Sequence, residues 1–268
     1  MKVILSRKGF DSTNGGIPSP IMPDGTLLSM PIPSHDDIHY DGLSYNGTTY
    51  SDILHQLAPN KTLDRCHLDP DIREDCRIHK MSNWEPAFGQ INSAQGVLKN
   101  ANVEAGDIFL FFGWFRQTEI HNGKLRFVPG SKGGFYDHAD LHIIYGYMQI
   151  GDIITKKEEI AKYPWHPHSM CGRLENDSNA IYTPARKLSI LPDRNGYGVL
   201  DYREDRVLTM QGKNRATWNA LPFLMPEHVY GQRRNSAGGE GLYYGGIWQE
   251  LVVYESDGLM DWVKSILI

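Results

Sequence analysis

Gly106-Asp107-Ile108-Phe109-Leu110-Phe111-Phe112-Gly113 and, further on, Leu141-His142-Ile143-Ile144-Tyr145-Gly146-Tyr147-Met148-Gln149-Ile150 decide the fold. Both runs are apolar at nearly every position instead of every second one, the pattern of strands covered on both faces. Their aromatic and β-branched content argues against helix. Because each run needs cover above and below, Ile108–Phe112 and Ile143–Tyr147 are expected to lie side by side in a central sheet.

Outward from this centre the chain alternates short strands and helices. Lys2 to Ser6 reads as an opening strand, and Ile181 to Ile190, Val199 to Met210 and Ile247 to Tyr254 as further strands. Between Arg7 and Pro33 the chain is rich in Gly and Pro yet carries Ile, Leu and Met, so it is expected to wrap over the core in turns. Asp-Gly and Asn-Gly signals with Tyr45 and Tyr50 predict a hairpin over residues 41–50. Helices are predicted at Ser51–Ala58, capped by Ser51 or Thr49, and at Ile91–Asn100. Leu259, Trp262, Val263, Ile266 and Leu267 fall at helical spacing and predict a closing amphipathic helix. The expected fold class is therefore α+β: a mixed or antiparallel, partly closed barrel with flanking helices and a long N-terminal covering segment. One domain over 1–268 is expected, with possible lobes at 1–100 and 101–268.

Composition narrows the function. With 14 Tyr, 9 Phe, 6 Trp, 27 Gly and 15 Pro, short strands joined by defined turns are favoured over a helical bundle. A net charge of −5 excludes a protein that grips long nucleic acid by charge alone. From Arg186 to Arg234, however, nine Lys/Arg stand against five Asp/Glu, and this stretch with Arg233 and Arg234 is the candidate nucleic-acid surface. Three cysteines without a Cys-x-x-Cys pair fit a reduced, cytoplasmic setting. No apolar run approaches the roughly 18 residues of a membrane span, and the N-terminal apolar run is too short for a signal peptide.

Four motifs carry possible chemistry. The first, Arg7-Lys8-Gly9-Phe10-Asp11-Ser12-Thr13-Asn14-Gly15-Gly16, crowds cations, a carboxylate, hydroxyls and paired glycines directly after a strand. Arg7 and Lys8 suit a phosphate or carboxylate, with Ser12, Gly15 and Gly16 allowing close approach and Asp11 available as acid or base; a tight turn with surface ion pairs is the competing reading. It matches neither a Walker loop nor a dinucleotide fingerprint. The second, His67-Leu68-Asp69-Pro70-Asp71, puts His67, Asp69 and Asp71 on one face of an extended segment. Metal binding, proton transfer by His67 and Asp69, and helix capping by Asp69 or Asp71 ahead of Arg73–His79 all remain open. In the third, Trp84 to Gln90, Trp84 is a stacking or core residue and Gln90 can present an amide to a base edge. The fourth gathers His138, His142, His166 and His168, candidate metal ligands whose spacing matches no standard zinc pattern.

The first two motifs, with Phe88-Gly89-Gln90, Gly106 to Gly113 and Gly146-Tyr147-Met148-Gln149-Ile150-Gly151, resemble the nucleotide modification associated domain 3 family of bacteria and phages. The resemblance spans nearly the whole chain and implies a place in DNA base-modification systems without naming a reaction. A weaker resemblance of the C-terminal two thirds is to the barrels of PUA-like domains, including the EVE and YTH readers of modified bases. Together they imply a nucleotide, or DNA with a modified base, as partner, alongside other modification enzymes, and leave any cofactor unspecified. Three activities follow: an enzyme acting on a nucleobase or nucleotide; a non-catalytic reader stacking a base on Trp84, Trp114, Tyr147 or Trp165; and a metal-dependent phosphodiesterase or other hydrolase resting on the histidines.

Overall fold

The computed structural model describes residues 1–129, 140–170, 172–231, 241–245 and 249–268, and the backbone of Gln232. Strands are β1 (Val3–Arg7), β2 (Ser19–Ile21), β3 (Ile32–His39), β4 (Ser44–Tyr45), β5 (Thr48–Thr49), β6 (Arg65–His67) and β7 (Phe88–Gln90). They continue with β8 (Ile108–His121), β9 (Lys124–Phe127), β10 (Leu141–Ile154), β11 (Ala180–Pro184), β12 (Tyr197–Val199), β13 (Thr217–Trp218), β14 (Leu242–Tyr243) and β15 (Glu250–Val253). The helices are α1 (Tyr50–Leu57), α2 (Asn92–Asn100), α3 (Lys157–Ile160) and α4 (Leu259–Leu267).

A mixed, curled sheet of nine strands organises the molecule, in the order β15-β1-β8-β10-β11-β7, with β2 and β9 also on β8 and β12 on β10. Strands β8 and β10 pair antiparallel, Phe112 opposite Ile144 and Leu110 opposite Tyr147, so the two apolar runs are the neighbours that their composition demands. Strand β1 lies parallel to β8 on its other side. Alternate residues then feed opposite cores. Val3, Leu5, Ile108, Leu110 and Phe112 pack with α4 on one face, whereas Ile4, Phe109 and Phe111 pack with Phe88 and Leu98 on the other. Asp107 secures the start of β8 by accepting from the backbone N–H of Lys2 (2.7 Å) and Glu104 (3.0 Å).

Among the described residues no pairing joins β15 to β7, so the sheet is a half-barrel and the expected closure is not seen. Within the segment from Arg7 to Pro33, expected to run in turns, Ser19–Ile21 joins the sheet parallel to β8, and Leu27, Leu28 and Met30 are buried. The hairpin and α1 form as expected, with the Thr49 hydroxyl accepting from the Asp52 N–H at 3.0 Å. Two strand expectations shorten. The run from Ile181 stops at Pro184, which has no N–H to extend the ladder. Of Val199 to Met210 only Val199 lies in a strand, because the charged Asp201–Arg206 stretch turns away in a 3₁₀ turn.

That turn also explains the local excess of positive charge. Arg206 donates to the backbone carbonyl of Ile266, Arg203 to that of Ser265 and Arg194 to that of Ile268, satisfying the C-terminal carbonyls of α4. Part of the basic stretch is thus engaged inside the fold, while Arg233 and Arg234 lie outside the described residues. No helix among the described residues is long and apolar enough to cross a membrane.

Candidate functional site

His67 ends β6, and the chain continues through Asp69 and a cis Asp69–Pro70 bond. His166 and His168 arrive from a short 3₁₀ turn at Pro167–Ser169, far along the chain. The two turns meet. His67 Nε2 lies 3.7 Å from Asp69 Oδ2, and His168 Nε2 4.0 Å from the same oxygen. One ligand atom from each of these three residues falls within 4.8 Å of the others, the spacing of donors around a single metal ion.

The surroundings fix which atoms carry protons. Asn179 donates its amide to the His168 carbonyl at 2.9 Å, so its oxygen faces His168 Nδ1, 2.7 Å away, and accepts that proton. His67 Nδ1 likewise meets the Asp36 carboxylate at 2.8 Å. Both imidazoles therefore turn Nε2 toward Asp69. His166 has the opposite tautomer: Nδ1 accepts from the His168 N–H at 3.2 Å, leaving Nε2–H 3.3 Å from Asp69 Oδ1. The hydrogen bond to Oδ1 comes from the Gly89 N–H, at 2.8 Å, while His166 Nε2 has no hydrogen-bond partner. With Oδ1 so occupied, Oδ2 is the oxygen that faces the two Nε2 atoms. Three lone-pair donors, each held from behind by a second partner, converge on one point, which is how proteins orient metal ligands.

The electrostatics agree. Burial alone would raise the Asp69 carboxyl, but the imidazoles of His166, His67 and His168 beside it outweigh burial and hold it well below the usual carboxylate range. Burial opposes charge on His67 too, yet its bond to Asp36 and the Asp69 carboxylate beside it raise it, so a proton competes there with any metal. Burial pushes His168 down to about 3, the neutral state a ligand requires.

Beside this cluster opens a cavity of about 410 Å³, in the range that holds small ligands, and its walls join the sequence motifs. Arg7, Lys8 and Asp11 line it together with His67, Asp69 and His168, so the first two motifs share one cavity despite their separation in the chain. Lys8 Nζ is anchored by Glu250 at 3.1 Å and sits over the Phe88 ring. Asp11 is used inside its own loop, where Oδ1 accepts from the Thr13 and Asn14 N–H groups at 2.8 and 2.7 Å. Gln90 reaches the cavity wall, but its amide is divided between Glu250 and the Ile91 N–H.

Other singled-out residues lie elsewhere. Gly15 and Gly16 do not line the cavity; Gly15 has φ +84°, and a Cβ there would run into the Phe10 ring, a requirement of the turn itself. Ser12 is exposed and bonded by Arg215. Asp71 is fully buried against Arg77 and does not cap the following turn, which shrinks to Glu74–Cys76. Trp84, Trp114, Tyr147 and Trp165 are all absent from the cavity wall. His142 sits among Phe112, Trp218 and Tyr244 and accepts from Trp218 Nε1 at 3.0 Å, away from the other histidines. His138 lies outside the described residues. Sequence reasoning missed Asp36, Arg173 and Asn179 and gave Gly89 no role, because none of them has a chemical signature until its neighbour is known.

Fold and site together define an α+β protein whose polar cavity is walled by a buried cluster of histidines and one carboxylate. Residues 2–245 match the family described as nucleotide modification associated domain 3, and the chain belongs to that family. No curated protein and no solved structure matches it.

Proposed function

We propose that this protein is a metal-dependent enzyme of nucleotide or DNA base modification, acting on a nucleobase or nucleotide in the cavity beside His67, Asp69 and His168. The family supplies the context of nucleotide modification. The observation that carries the reading is the tautomer pattern: both Nε2 atoms and Asp69 Oδ2 face one another with their protons committed elsewhere. Three acceptors so placed repel one another unless a cation lies between them, either a metal ion or the proton that His67 takes up. Three protein ligands leave coordination positions for water or substrate, the arrangement of catalytic and not structural sites. In this reading His67 and Asp69 act as ligands, with His166 and Gly89 orienting the carboxylate. In this reading Arg7, 3.8 Å from Asp11 on the cavity wall, receives a phosphate, while Lys8 is tied to Glu250.

The test is calorimetric titration of chelator-treated protein with Zn²⁺, Mn²⁺ and anaerobic Fe²⁺, with elemental analysis of the protein as purified. One ion per chain, lost in His168→Ala, is expected. Should none of the three ions bind the wild-type protein, the reading fails. Mass spectrometry of nucleotides and DNA incubated with the loaded protein then identifies the product.

A further inference from the structure

We infer that the site binds a chelating 2-oxo acid on ferrous iron, clamped by Arg173, and that the protein uses it with dioxygen to hydroxylate a carbon of its nucleotide substrate. The inference rests on the metal-enzyme reading above and specifies its co-substrate.

Three observations lead to it. Two imidazoles and one carboxylate lie within 4.8 Å of one another, the donor set suited to non-haem ferrous iron. Next, Arg173 lines the same cavity, and the hydrogen bonds that hold it run through one nitrogen, Nη1, to Asp36 and the Pro167 carbonyl. Its remaining edge, Nε and Nη2, is a planar fork of the shape that takes a carboxylate in a bidentate pair. Asp36 joins Arg173 directly to His67, so this fork is tied to a metal ligand.

The third observation concerns acid–base groups. Among the described residues two carboxylates line the cavity, Asp69 and Asp11; the first faces the metal position and the second is consumed by its loop. Hydrolysis is commonly assisted by a general base beside the metal-bound water. Oxidation by metal-bound dioxygen needs none. The balance is complete with the named co-substrates: dioxygen takes four electrons, two from oxidative decarboxylation of the 2-oxo acid and two from the substrate C–H bond. One oxygen atom enters the shortened acid and the other becomes the new hydroxyl, with carbon dioxide released and iron returned to the ferrous state.

The experiment uses the full chain loaded anaerobically with one equivalent of Fe²⁺, then titrated separately with 2-oxoglutarate, pyruvate and inorganic phosphate. A 2-oxo acid bound through keto and carboxylate oxygens gives a visible metal-to-ligand charge-transfer band, whereas phosphate gives none. We expect the band with at least one 2-oxo acid. In Arg173→Lys, which keeps the charge beside Asp36 but loses the fork, iron stoichiometry should hold while the titration midpoint rises roughly tenfold. Iron bound at one per chain with no band from either 2-oxo acid overturns this inference and leaves the metal-enzyme reading standing. Failure to bind iron or any other ion overturns both. A band whose midpoint is unchanged in Arg173→Lys overturns the role of Arg173.

Discussion

Two buried histidines, His142 and His168, belong to the same sequence motif and end in opposite chemical situations. His142 is surrounded by the edges of Phe112, Trp218 and Tyr244, and its ring accepts from a donor, Trp218 Nε1. His168 gives its Nδ1 proton to an acceptor, Asn179, and so turns a lone pair toward Asp69 and His67. Burial depresses the basicity of both to about 3. Neutrality is therefore common to the core histidine and the candidate ligand. What separates them is whether the partner on the second nitrogen gives or takes a proton, and what the first nitrogen then faces.

The largest effect expected from breaking this contrast is in Asp69→Asn. The amide keeps the shape and the bond from the Gly89 N–H but loses the charge and one ligand lone pair, so metal affinity should drop by more than about 100-fold in calorimetry. Gly89→Ala should come next. Its Cβ would occupy the space of the His168 ring, which is itself buried. Loss of most metal affinity and destabilisation of about 1–3 kcal/mol in denaturant unfolding are expected. Asn179→Ala keeps all three ligands but removes both its bond to the His168 carbonyl and the acceptor that fixes the His168 tautomer, so a weakening of roughly 10–100-fold is expected from the same titration.

Proton competition sharpens the contrast further. Because His67 is raised by Asp36 and Asp69, it stays protonated to a higher pH than an ordinary histidine. Metal affinity should fall as pH falls, the decline beginning above the ordinary histidine value of about 6.5. Titrations across a pH range of roughly 5.5 to 8.5, bracketing that value, measure this, and a flat profile would contradict the ligand role of His67. The smallest effect on the metal belongs to His142→Asn, whose oxygen can still accept from Trp218: affinity should not change. Stability should reveal His142 instead. Its folded basicity lies below the unfolded value, so its contribution is full above a pH of about 6.5 and is lost as pH falls from there toward about 3, by at most about 1.4 kcal/mol per pH unit. Melting temperatures of the variant should show a shallower acid slope than wild type.

Much of the fold was legible because it follows from local pattern. Continuous apolar runs announce strands covered on both sides, and β8 and β10 are those strands. The spacing of Leu259, Val263, Ile266 and Leu267 places one stripe on a helix, and α4 buries that stripe. Strand ends were less legible. The apolar character of Leu188 and Ile190 reflects packing against the α4 core and not pairing in the sheet. The site was legible by halves. His67-x-Asp69 stood out as a polar pair in extended chain, and Arg7 to Asp11 as a crowded loop, but nothing in the sequence joined either to His168.

By itself, then, the sequence determined the long central strands, the helices α1, α2 and α4, the donor types available for chemistry and the family, because these depend on residue identity and short-range periodicity. Tertiary structure alone decided which histidines meet Asp69 and which is sealed among aromatics. It also decided that Asp71 serves Arg77 and that Arg194, Arg203 and Arg206 close the end of α4. The physical reason is range. Backbone preference and burial period are set within a few residues, whereas a ligand's tautomer, charge and direction are set by partners that only long-range packing brings within about 3 Å.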